Sequence, residues 1–253
     1  MTKLTINKFA AKKIADGISV LDAHDFPVQT HIEGFAELYF EKQFLTSAYF
    51  SRQNKGIGWT IKTRDFVALL TDAKHKRYPY YQDSATTAFR VFNQDGDDFG
   101  GFTIDIYDEY ALFNWYNAFV YSLRKEIISA FKQVFPEILG AYEKVRFESK
   151  LPISSHIYGQ SAPDKFIVLE NGTRYQVFLN DGLMTGIFLD QHDVRGALID
   201  GLAAGKDMLN MFSYTAAFSV AAAIGGAKST VSVDLAKRSR ELSEAHFKAN
   251  NIP

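Results

Sequence analysis

Residues 207–234 read DMLNMFSYTAAFSVAAAIGGAKSTVSVD, and the order of residue types spells strand, turn, helix, strand. The apolar run 208–212 suits a buried parallel strand. Ser213, Tyr214 and Thr215 make a polar turn, and the small apolar run 216–224 suits a helix packed closely on a sheet. Gly225-Gly226 ends that helix, because glycine tolerates the left-handed conformation needed there. The run 230–233 is a second strand that finishes on Asp234. A strand–turn–helix gathers backbone N–H groups at a helix N-terminus, where they attract an anion or carboxylate. An acid at the end of the next strand, about 20 residues on, is placed to accept hydrogen bonds from ribose hydroxyls. The pattern points to a nucleoside-bearing cofactor. It equally fits an ordinary βαβ unit ending in an exposed Asp, since the turn lacks a Gly-x-Gly-x-x-Gly fingerprint. The same absence disfavours an NAD-dependent dehydrogenase.

Working outward, the chain has 253 residues, 47% of them hydrophobic, which is material for two or three domains. A net charge of −1 provides no global field toward nucleic acid or membrane. No apolar run reaches the ~18 residues of a membrane-spanning helix, and the N-terminus lacks a signal-peptide core. There is no cysteine, hence no disulfide, thiolate metal site or cysteine nucleophile within these residues. A cytoplasmic location without membrane partners is the expectation.

Residues 1–73 show short strand candidates at 4–6, 18–21, 35–40, 44–50 and 57–61, a spacing that suggests a small barrel. Between Lys42 and Arg77 eight bases face only two acids. Arg52, Lys55, Lys62, Arg64, Lys74, Lys76 and Arg77, beside Tyr49, Phe50 and Trp59, fit contact with an RNA backbone, or alternatively a solvated face. The segment 74–81 reads as a boundary, with Pro79 biasing Tyr78 to an extended conformation. The acidic turn 95–98 does not complete a calcium loop, so no metal site is expected. Residues 74–180 then read strand, strand, helix, strand, strand: 103–107 and 111–116, the helix 119–135, the strand 144–149, and a hairpin turning at Asn171-Gly172. His156 is left as structural. Residues 181–253 begin with a loop and a helix over 193–202, for which Asp190 is the expected N-cap. From residue 207 onward only two parallel strands are present, where a doubly wound domain needs about five to seven. Unpaired apolar edges invite aggregation, so the expectation is a chain truncated within that domain.

Three motifs carry a resemblance that covers nearly the whole chain. TGIFLDQ at 185–191, NMFSYTAAFS at 210–219 and SVD at 232–234 resemble the TGFFLDQ, NLFSYTGGFS and VDxS/VDxA motifs of one family. That family is the PUA-domain class I S-adenosylmethionine-dependent 23S rRNA methyltransferases, which form 5-methylcytosine. Residues 95–107 are similar to the family's GDGLPGLTVDRY stretch, and 1–73 are similar in plan to a PUA barrel. The resemblance implies a multidomain protein. Its parts are an N-terminal PUA-like β-barrel that binds RNA (1–73), a central α+β domain (74–180), and the first part of an α/β Rossmann-like methyltransferase domain (181–253). It implies S-adenosyl-L-methionine as cofactor and 23S rRNA as partner, with a homodimer left open. Asn210, Phe212, Ser213, Tyr214 and Thr215 would lie on the methionine and sugar side, and Asp234 would bind the ribose hydroxyls. Phe188, Asp190, Gln191 and Arg195 would shape the cofactor entrance and help hold the target base.

Three departures stand out. Ala216-Ala217 replaces the family's Gly-Gly, so the loop must avoid positive φ there or accept strain. His192 stands where the family often has Arg. The family's Asp-Pro-Pro motif and its cytosine-attacking cysteine are not among these residues, so no catalytic residue is assigned and the chain as it stands is expected to be inactive. A methyltransferase forming N2-methylguanine and a non-catalytic RNA-binding module are the alternatives.

Overall fold

The computed structural model describes residues 2–28, 32–53 and 56–253. Its first layer is a sheet of β1 (Thr2–Thr5), β2 (Val20–Leu21), β3 (Gly34–Phe40), β4 (Gln43–Phe50) and β5 (Gly58–Ile61), in the order β1-β3-β4-β5-β2. Helix α1 (Lys8–Ala15) starts where the Asn7 side chain accepts the Ala10 N–H at 2.9 Å, and it packs on Ala36, Leu38 and Ala48. This corrects the expected barrel. Among the described residues β1 bonds only to β3 and β2 only to β5, so the sheet stays open. The physical reason lies in β4, where Ala48, Tyr49 and Phe50 are all buried. One side of the sheet serves the α1 core while Tyr49 stacks on Trp59, Phe99 and Phe119 in the adjoining core.

The segment expected to be an extended boundary is helical. α2 (Phe66–Lys76) begins where Asp65 accepts the Ala68 N–H at 3.0 Å, and α3 (Tyr78–Gln82) carries Pro79 in its first turn. A proline there loses no helical hydrogen bond, which is why its effect on Tyr78 does not break the helix.

The second layer is β6 (Ala88–Asn93), β7 (Phe102–Tyr107), β8 (Tyr110–Trp115), β9 (Gly140–Val145) and β10 (Ser154–Gly159), ordered β10-β9-β8-β7-β6. The one parallel pair, β8 with β9, is crossed over by α4 (Ala118–Ser122) and α5 (Arg124–Val134), which divide the expected single helix at Leu123. Strands β6 and β10 extend the expected order. The hairpin β11 (Phe166–Glu170) and β12 (Thr173–Val177) forms a separate two-stranded sheet. It packs toward the C-terminal segment: Val168, Tyr175 and Val177 share a core with Leu189, Ala217 and Val220. The acidic turn also has a structural use. Buried Asp97 receives Arg77 at 2.6 Å on each oxygen, Lys76 at 3.1 Å and the Asn93 N–H at 2.7 Å.

The third layer runs through α6 (His192–Ala197), β13 (Asp207–Met211), α7 (Ala217–Ile224), β14 (Ser229–Val233) and α8 (Lys237–Ala249), with β13 and β14 parallel. Asp190 is not an N-cap: a 3-10 turn over Leu189–Gln191 feeds α6 directly, with no side-chain cap. Gly226 adopts φ +84°, the left-handed end of α7. Gly225 is required for a different reason, since a Cβ there would stand 1.9 Å from the Leu198 carbonyl oxygen. Gly225→Ala should therefore lower stability by about 1–3 kcal/mol, the usual cost of overpacking. Urea denaturation checks this, and an unchanged midpoint would contradict it.

Candidate cofactor site

The turn between β13 and α7 is held in an uncommon conformation. Phe212, Tyr214 and Ala216 all have positive φ, at +57°, +50° and +57°. Each left-handed non-glycine residue costs roughly 1–2 kcal/mol, so the Ala216 position takes the strained of the two options its sequence allows. Opposing hydrogen bonds hold the turn in place. The Ser213 N–H donates to the Val233 carbonyl at 3.0 Å, and the Ala216 N–H to the Ser213 carbonyl at 2.8 Å. The Tyr214 N–H donates to Asp234 Oδ2 at 2.8 Å.

Asp234 follows β14 and is exposed. Its Oδ1 also accepts the Ala236 N–H at 2.9 Å and the Ser239 hydroxyl at 2.8 Å. The backbone N–H of Ala236, that of Tyr214 and the Ser239 hydroxyl hold its carboxyl below the usual carboxylate range, so it is ionised at neutral pH. A carboxylate offers about four acceptor positions. Three are used, which leaves capacity for a ribose hydroxyl. Asp234 and Ser213 line a cleft of about 1050 Å³ between β14 and α8.

The TGIFLDQ segment docks on this turn. The Gly186 N–H donates to the Tyr214 hydroxyl at 2.9 Å, and the Thr215 hydroxyl donates to the Gly186 carbonyl at 2.8 Å. The Phe188 ring lies against Tyr214, with centroids 5.3 Å apart. Phe188 and Phe212 are exposed; Ser213 and Asp234 line the cleft, while Phe188 and Tyr214 share a smaller cavity. Asn210 is buried and instead donates to Ser219 at 3.0 Å, tying β13 to α7. Arg195 is also buried, donating to Glu170 at 2.5 and 2.8 Å and to the Phe188 carbonyl at 2.7 Å. It therefore supports the entrance from behind. His192 sits 3.6 Å from Glu170, and that carboxylate raises its pKa. Gln191 is half-buried in the 3-10 turn, and Asp190 is exposed.

The sequence reading missed residues that hold the site from outside the motifs. His246 of α8 places its two ring nitrogens 3.0 Å from the Thr215 and Gln176 carbonyls. The Tyr107 and Thr185 hydroxyls meet at 3.0 Å. Buried Lys144 donates to the Gly182 and Met184 carbonyls at 2.7 and 2.8 Å, and Arg146 to the Leu183 carbonyl at 2.9 Å. The one available signal was the basic pair Lys144 and Arg146 inside an expected strand.

The basic residues expected to meet RNA are mostly committed elsewhere. Lys55 lies outside the described residues. Lys62 is 3.6 Å from Asp98, Lys74 is 2.7 Å from Glu137, and Lys76 and Arg77 hold Asp97. The Arg64 guanidinium lies 3.9 Å from the Phe35 ring centre, while Arg52 is exposed.

A family model described as S-adenosylmethionine-dependent methyltransferase matches residues 151–251. The Bacillus subtilis protein YwbD, a candidate large-subunit ribosomal RNA methyltransferase, is 40% identical over 100% of this chain and 68% of its own length. The chain belongs to the S-adenosylmethionine-dependent methyltransferase family. Its cofactor is S-adenosylmethionine. The ribosomal RNA large subunit methyltransferase I of Alteromonas mediterranea is 34% identical over 77% of this chain and 51% of its own length. A solved Streptococcus mutans structure, of a candidate methyltransferase of this kind, superposes with a TM-score of 0.94 at 55% identity. It covers 100% of this chain, which in turn covers 68% of it. Another solved structure, at a TM-score of 0.93 and 55% identity, is complexed with SAH, S-adenosylhomocysteine. The family match begins at residue 151, ahead of the change of character placed at 181, and the β11–β12 hairpin shares the C-terminal core. The chain spans 68% of the length of the Bacillus relative and of the first solved structure.

Two measurements test this support. Burial opposes the Glu170 charge, but the Arg195 hydrogen bonds, with His192 3.6 Å away, prevail and hold its pKa below the usual range. The pair's contribution is thus present above the unfolded carboxylate value and lost as pH falls through the folded one. Arg195→Met leaves Glu170 buried and unpaired, with an expected loss of about 3–5 kcal/mol in urea unfolding at neutral pH. For Lys144, burial first and Arg146 second push the pKa from the ordinary 10.5 to about 8. Between those values the unfolded chain binds the proton more tightly, so stability rises with pH across that window. Lys144→Met should remove that slope, as read from denaturation midpoints compared with the wild type at pH values spanning it.

Proposed function

We propose that this chain carries the cofactor-binding part of a methyltransferase acting on large-subunit (23S) ribosomal RNA, with 5-methylcytosine as product. The observation that carries the reading is the exposed Asp234 carboxylate after β14, bonded at 2.8 Å to the backbone of the strained turn at Tyr214. The names of the relatives support the RNA substrate, and the resemblance of the motifs supports the product.

When bound, S-adenosylmethionine supplies an electrophilic methyl group. Asp234 holds a ribose hydroxyl, and Phe188, Phe212 and Tyr214 supply apolar surface beside it. Lys144, Arg146 and Tyr107 keep 182–185 in place so that Phe188 stays against Tyr214. Attack on a cytosine ring needs a thiolate, and the chain contains no cysteine. These residues therefore bind the cofactor and orient the base, while transfer to carbon 5 is not completed by them alone.

Asp234→Ala should weaken S-adenosylmethionine binding by roughly 1.5–3 kcal/mol, the range for a hydrogen bond to a charged group. Calorimetry on wild type and variant reads this directly, and equal affinities would remove Asp234 from the site. Transfer of labelled methyl groups to large-subunit RNA by a relative-length protein, followed by nucleoside analysis, tests the product. Recovery of N2-methylguanine in place of 5-methylcytosine would reject the carbon-5 reading.

A further inference from the structure

Two cavities meet at Asp190. The smaller, about 70 Å³, touches Tyr107, Arg146, Phe188 and Tyr214 beside the cofactor turn. The larger, about 270 Å³, is walled by Arg77, Tyr80, Phe89, Asn93 and His192. Arg90, Leu189 and Asp190 line both. The surroundings of Tyr214 thus continue, past Asp190, into a chamber that cofactor binding does not use.

The chamber's chemistry selects among ligands. Tyr80 stacks on Phe89 at 5.1 Å with planes 10° apart, and the His192 ring meets Tyr80 edge-on at 5.5 Å. This aromatic wall suits a planar ring, as in the stacking of single-stranded bases on aromatic side chains. The two arginines add direction more than net charge. Arg77 is neutralised by Asp97 at 2.6 Å, and Arg90 by Asp105 at 2.7 Å, with a further Arg90 contact to Asn93 at 3.3 Å. A phosphate would gain little there. The Asp190 carboxylate is exposed and has no hydrogen bond or ion pair among the described residues. It can only accept, which suits an exocyclic amino group such as that of cytosine. The volume of about 270 Å³ lies just below the ~300–1,000 Å³ of drug-sized ligand sites, as expected for a single ring system.

We propose that this chamber holds one unstacked base of the RNA substrate, adjacent to the nucleotide presented at the cofactor turn. It favours a base bearing an exocyclic amino group over uracil. The inference rests on the RNA methyltransferase reading above.

The test uses the full chain with short oligocytidylate and oligouridylate probes, followed by fluorescence anisotropy, and S-adenosylhomocysteine followed by calorimetry. The wild type should bind oligocytidylate more tightly than oligouridylate. Tyr80→Leu keeps apolar contact with Phe89 but removes the stacking face. It should weaken oligocytidylate binding about tenfold and leave S-adenosylhomocysteine binding unchanged. Should Tyr80→Leu fail to fold, Asp190→Asn tests the exposed acceptor and should reduce the preference for oligocytidylate. Equal affinity for the two probes, or oligocytidylate binding unaltered in the folded variants, overturns the chamber assignment while leaving the cofactor reading intact. Loss of S-adenosylhomocysteine binding in the wild type instead overturns the functional reading on which the inference rests.

Discussion

Three left-handed, non-glycine residues in a turn of five are the constraint on which the rest of the site depends. Phe212, Tyr214 and Ala216 together store a few kcal/mol of backbone strain. That is a large share of the 5–15 kcal/mol by which a typical domain is stable. The turn persists because its polar groups are held from several sides. β14 supplies the Val233 carbonyl, Asp234 accepts the Tyr214 N–H, the TGIFLDQ segment grips Tyr214 and Thr215, and α8 brings His246 to the Thr215 carbonyl. The same hydrogen bond that fixes the turn also aims Asp234. The aim of the Asp234 carboxylate and the hold on the strained turn are thus two consequences of one contact.

The second layer reaches this turn through polar contacts. Lys144 and Arg146 of the strand–loop around β9 hold three successive carbonyls, at residues 182, 183 and 184. Keeping an ammonium buried is costly, and the depressed Lys144 pKa is the sign of that cost. Hydrophobic burial is non-directional and would tolerate a slide of 182–188 across the central sheet. Charge-assisted hydrogen bonds to carbonyls have direction and length, so they specify where Phe188 meets Tyr214.

The legible parts of the sequence were those where chemistry is local. The strand–turn–helix–strand of 207–234 could be read because apolar runs, a paired glycine and a terminal Asp are neighbours in the chain. The alternation of β7 and β8 and the Asn171-Gly172 turn were readable for the same reason. The failures are non-local. Whether five short strands close depends on which edges meet, and β2 is only two residues long. Arg195 follows the TGIFLDQ motif by four residues, yet its partner Glu170 comes from the hairpin before it, so the local sequence could not reveal that the guanidinium is buried. His246 lies outside every motif, and only the tertiary fold brings the Thr215 and Gln176 carbonyls to it.

Charge counting over a window is incomplete for a related reason. The excess of bases between Lys42 and Arg77 is real in sequence, but a count over a window ignores acids that the fold imports from outside it. Asp97, Asp98 and Glu137 all lie beyond the window, and they take up Arg77, Lys76, Lys62 and Lys74. Asp97 is itself buried, so its arginine is structural in the sense that removing it would strand a charge. A surface field depends on the charges left after such pairing. By that measure this face is less basic than its composition. Asp190, at the junction of the two small cavities, by contrast keeps its carboxylate unpaired among the described residues.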